Sequence, residues 1–98
     1  MSTEPTSAHQ MLPVSFTTLL LSLGSSAVMA MGLDKNPASG NFEKDLNVAR
    51  FNIDMLRLLK EKTKGNLSVE EQQFFDSLLN DLQLKFVYVS QNKADQAP

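Results

Sequence analysis

Residues 42–64 carry apolar side chains on two sides of what their spacing predicts to be one helix, and that double pattern constrains the fold most. Phe42, Leu46, Ala49, Ile53 and Leu56 make one stripe at heptad-like spacing. Val48, Phe51, Met55, Leu58 and Leu59 make a second on nearly the opposite side. Glu43, Asn47, Arg50, Asp54, Arg57, Glu61 and Lys64 form a polar face between them. A helix in a lone three-helix bundle buries one stripe against its neighbours. A second stripe asks for a further surface to pack on.

Two more helices are expected around this one. The first runs over 16–31, with Ser15 as N-cap after Pro13 and Gly32 as a left-handed stop. Phe16, Leu19, Leu20, Leu23, Ala27, Ala30 and Met31 share one side, which Leu21 and Val28 widen, and no charged residue interrupts the segment. Gly24 costs a helix interior about 1 kcal/mol against alanine, so a close neighbour at that point is the expected compensation. Asn36-Pro37 and Ser39-Gly40 mark 34–41 as loop. The second helix covers about 43–64 and stops at Gly65-Asn66. The third covers about 69–90 and opens on a capping box of Ser68 and Glu71. Its core stripe is Phe75, Leu78, Leu79, Leu82, Phe86 and Val89, with Leu84, Val87 and Tyr88 off it. Composition alone would allow 84–89 as a strand, but no other segment offers a pairing strand, so helix is expected. The fold class expected is all-α: a three-helix bundle, or a helical hairpin with an added N-terminal helix, completed by oligomerisation. Residues 13–91 form the single domain, between polar tails at 1–12 and 92–98.

A chain of 98 residues buries only about 60–65% of its unfolded surface, so its stability is marginal unless something is added. It has no cysteine, and its single histidine, His9, lies in the polar N-terminal tail. Neither a metal centre nor a histidine-based catalytic site is therefore expected. Asp45, Asp54, Asp76 and Asp81 have no nucleophile or base in a recognisable pattern, so the chain reads as a non-enzyme without cofactor. A net charge of −2 and a pI near 5.2 disfavour nucleic acid as a partner. Residues 9–33 hold no charge beyond His9, but Glu4 stands where a secretory leader needs basic residues. Ser15, Thr17, Thr18, Ser22, Gly24, Ser25 and Ser26 dilute the apolar run, so membrane attachment through 16–31 is a lesser alternative and the cytoplasm the expected location.

Residues Ala49-Arg50, Ile53-Asp54-Met55-Leu56, then Lys62-Thr63-Lys64-Gly65-Asn66-Leu67 and Glu70-Glu71 resemble a bacterial family catalogued as domain of unknown function 1844. The resemblance extends upstream to Phe16, Leu23 and Met31-Gly32, and downstream to Leu78-Leu79 and Leu82. It implies a small bacterial helical protein and supplies no catalytic or binding residue.

The remaining motifs read as architecture. In 62–66 the glycine follows the lysines at a helix end, which makes a helix stop; a phosphate loop has the opposite order. Arg50, Arg57 and Lys64 alternate with Asp54 and Glu61, so the ridge is a mixed-sign solvated face, with Asp54 paired to Arg50 or Arg57. Asp45 and Asn52 lie at the seam between the two stripes, where a polar residue either fixes register between chains or stands partly exposed with a water partner. The expected role is a homo-oligomer, a dimer first, whose interface draws on Val48, Phe51, Asn52, Met55, Leu58, Leu59, Leu84, Val87 and Tyr88. An unidentified protein partner is a further option. So is a small apolar or anionic ligand beside Gly24 and the 62–66 turn.

Overall fold

A computed structural model describes residues 12–91. In chain order it has helix α1 (Phe16–Ala30), strands β1 (Met31–Lys35) and β2 (Phe42–Lys44), then helices α2 (Leu46–Lys62) and α3 (Val69–Gln91). The three helices stand within a few residues of their expected bounds. The strands correct the all-α expectation, because the segment between α1 and α2 is a β-hairpin.

Each helix start follows from a local cap. Ser15 Oγ accepts a hydrogen bond from the Thr18 amide at 3.1 Å, and Thr18 Oγ1 donates to the Pro13 carbonyl at 2.6 Å. Asp45 caps α2, its carboxylate accepting from the Asn47 and Val48 amides at 3.1 and 3.3 Å. A role for Asp45 at a seam between chains is thereby replaced by a helix start, whose unpaired amides and dipole both favour a carboxylate. The Ser68–Glu71 box closes as expected: Glu71 N donates to Ser68 Oγ at 3.1 Å, and Ser68 N donates to Glu71 Oε1 at 2.9 Å. Beyond α2, Gly65 takes φ +86° while Lys60 and Lys62 occupy the last turn, where cations suit the carbonyl end.

The hairpin turns the chain back on itself. Asn36 N donates to the Asn41 carbonyl at 2.8 Å and Gly40 N to the Asn36 carbonyl at 2.7 Å. Met31 pairs with Lys44 and Lys35 with Phe42, so β1 carries extra residues between the paired positions. Gly32 lies in that bulge with φ +79°. The Asp45 amide then donates to the Ala30 carbonyl at 2.7 Å, which starts α2 beside the end of α1. The two helices consequently run antiparallel, and α3 packs on both.

The core lies where the three helices meet. Its fully buried large side chains are Leu20, Met31, Leu56, Phe75 and Leu82. Ala27 and Ala49 are also fully enclosed, which lets α1 and α2 approach closely. Gly24 faces α3: a Cβ at that position would meet Leu78 Cδ1 at 3.1 Å, the close approach that its place in the helix anticipated. Phe16 meets Phe75 edge to face with ring centroids 5.8 Å apart, a favoured aromatic geometry. Along its thinnest axis the Cα trace spans 16 Å, about the depth of two packed helices. Only one layer of side chains is dry.

Candidate interaction surface

The α2 core stripe settles on Ala49, Asn52, Ile53 and Leu56, which are buried. Val48, Phe51, Met55 and Leu58 then project away from it, and between 39% and 62% of each is exposed. Their 3-4-3 spacing is the seam pattern of one helix packing on another.

Two residues expected on this surface turn inward. Asn52 is 9% exposed, and its Nδ2 donates to the Val48 carbonyl at 3.1 Å. Leu59 is half-buried and packs against the core. Both sit at the edge of the outer stripe nearest the core, and the enclosing helices cover that edge.

Leu84, Val87 and Tyr88 of α3 are exposed but belong to a separate surface. Tyr88 shares a hollow with Gly32, Leu33 and Phe42 of the hairpin, while Val87 lines another with Arg50, Asp54 and Arg57. A charged strip of α2 thus lies between Val87 and the outer stripe. Phe42, expected in the core stripe, is exposed, with Lys35 Nζ 5.9 Å from its ring centroid. As a strand residue it does not follow the helix period that would place it inside. Leu19 also departs from its expected core position and is exposed. Its exposure depends on where α2 crosses α1, which the wheel of α1 alone does not specify. Leu33 joins the surface without having been expected there; its place just before the Asn-Pro and Ser-Gly turn signals is the trace of it in the sequence.

The polar strip pairs across helices more than along α2. Lys60 Nζ meets Asp76 Oδ1 at 2.8 Å, and Gln72 Nε2 donates to the same oxygen at 3.0 Å. Those hydrogen bonds, Lys60 first, hold the Asp76 carboxyl below its ordinary value of 3.8. The Arg57 guanidinium donates through Nε to the Gln83 side-chain oxygen at 2.9 Å, with the amide oriented so that both groups are satisfied. Among the described residues the ion pairs are Lys60–Asp76 and Lys85–Asp81. The expected pairing of Asp54 with Arg50 or Arg57 is not formed.

Gly24 and Lys64 of the 62–66 turn line different hollows. The hollow at Gly24, about 180 Å³, is bounded by Leu21, Ser25, Leu78 and Asp81. Among the described residues no group of three acidic, histidine or cysteine side chains is placed to hold a metal ion, and no helix is long and apolar enough to cross a membrane.

A family model described as Domain of unknown function (DUF1844) matches residues 13–88. The chain belongs to that family. The match includes the hairpin, all of α2 and most of α3, so both apolar surfaces lie within the DUF1844 region. Neither a curated protein nor a solved structure matches this DUF1844 chain, and the family description assigns no activity.

Proposed function

We propose that this protein is a non-enzymatic, self-associating helical module, a homodimer first, in which a second copy covers the outer stripe of α2. The observation that supports this reading is the row of Val48, Phe51, Met55 and Leu58, left outside a core that the rest of α2 completes. Fully burying one such side chain is worth about 1.5–3 kcal/mol, so four that are about half exposed offer roughly 3–6 kcal/mol per protomer to whatever covers them. A domain whose whole stability is about 5–15 kcal/mol gains a large fraction of it by pairing.

Charge placed on the stripe tests the reading. Phe51→Asp and Met55→Asp, measured by light scattering at micromolar concentration, are expected to convert a dimer to a monomer that keeps its helical circular dichroism. Variants that stay dimeric would exclude this stripe as the contact.

The surface of Leu33, Phe42 and Tyr88 supports a second reading, docking of a different protein, because its hollow includes no residue of the α2 stripe. Pull-down from the source cells compares wild type with Phe42→Lys/Tyr88→Lys. A partner retained equally by both contradicts that use of the surface. We further propose a cytoplasmic location, which carbonate-resistant pelleting of the expressed protein would contradict.

A further inference from the structure

We propose that the second copy docks antiparallel along α2, about a two-fold axis level with residue 53, so that polar strip meets polar strip and α1 meets α1. This inference rests on the self-association proposed above and adds its geometry. With the axis at that level, Val48 lies opposite Leu58 of the second copy and Phe51 opposite its Met55. All four seam residues thereby find apolar partners, in the alternating layers of an antiparallel helix pair.

The flanks of the seam decide the orientation. One flank is the strip holding Arg50, Asp54 and Glu61, all exposed. The other is α1. Ser26 of α1 and Val48 of α2 line one groove, and the helices run antiparallel. A seven-residue step therefore carries Ser26 to Leu19 on one helix and Val48 to Met55 on the other, about 10 Å along each and on the same face. Exposed Leu19 thus comes level with Met55 and extends the apolar surface onto α1. In the antiparallel pair the two α1 margins face each other, and so do the two charged strips. Arg50 then comes within reach of Asp54 of the second copy, twice by symmetry, and among the described residues neither of those two groups has an ion-pair partner inside its own protomer. A parallel pair would instead press each charged strip onto α1 of the other chain. Residues of α1 carry no charge from Phe16 to Ala30, so those charges would lose water and gain no partner.

Cross-linking tests the geometry, because the chain has no cysteine and each introduced thiol is unique. Asn47 and Glu61 are exposed on the polar margin. In the antiparallel pair, position 47 of one copy and position 61 of the other differ by only about 3 Å along the axis, whereas 47 to 47 and 61 to 61 are offset by about 18 and 24 Å. Asn47→Cys and Glu61→Cys proteins are mixed, left to exchange subunits and treated with a short bismaleimide, beside each protein alone. Sedimentation fixes the oligomeric state of every sample. The mixture is expected to give at least about tenfold more covalent dimer than either protein alone, since thiols within a dimer meet at millimolar effective concentration. A dimer by sedimentation that cross-links no better in the mixture overturns the antiparallel geometry and leaves self-association standing. Monomers throughout overturn both.

Discussion

Asp76 shows what a single exposed carboxylate contributes here. Hydrogen bonds from Lys60 and Gln72 favour its charged form in the folded chain, so its folded pKa lies below its unfolded one. The stability it adds is therefore present above the unfolded value and is lost as pH falls through the lowered folded value. Between about pH 6 and about pH 3 the urea midpoint of the wild type is expected to fall slightly further than that of Asp76→Asn. The difference is small because both partners stand in water. An equal fall in the two proteins would remove Asp76 from the account. Gly24 works through shape instead. Because even a Cβ there would lie 3.1 Å from Leu78, Gly24→Leu must push α3 away and is expected to cost about 1–3 kcal/mol in denaturant unfolding.

At the scale of elements, the hairpin fixes where α2 starts relative to α1, and its two left-handed glycines are not equivalent. A side chain at Gly32, φ +79°, would come within 3.2 Å of the Lys44 Cβ, whereas at Gly40, φ +75°, nothing lies within 4 Å. Gly40→Ala carries the backbone cost alone, about 1 kcal/mol, while Gly32→Ala adds a clash with the paired strand and is expected to reach about 1–3 kcal/mol. Thermal melts of the two variants check the order, and a larger loss at Gly40 would contradict it. The helices are legible in the sequence because caps and periods are local: Ser15, the Ser68–Glu71 box and Gly65 each act within a few residues. The hairpin is not, because Met31–Lys35 and Phe42–Lys44 are short and carry no alternation of their own. Only pairing across the intervening turn defines them. That is also why the sequence alone puts Phe42 in a helix period and Asp45 at a seam. The exposed α2 stripe is readable as phase along one helix. Its separation from Leu84, Val87 and Tyr88 depends on how α2 and α3 lie together, which no single-helix wheel contains.

For the whole molecule, thinness and surplus apolar surface have one origin. A slab 16 Å deep has a single dry layer, and α2 has apolar residues on both of its sides, so one side is left for water or for a partner. A homodimer that covers it gains stability with concentration, and its melting temperature should accordingly fall on dilution. The most direct measurement is sedimentation equilibrium of the unmodified protein at micromolar concentration. A mass of twice the 10.9 kDa chain is predicted, reverting to a single chain in Phe51→Asp. A wild type that sediments as 10.9 kDa and melts cooperatively at one temperature across dilution would contradict the claim that a second copy covers α2.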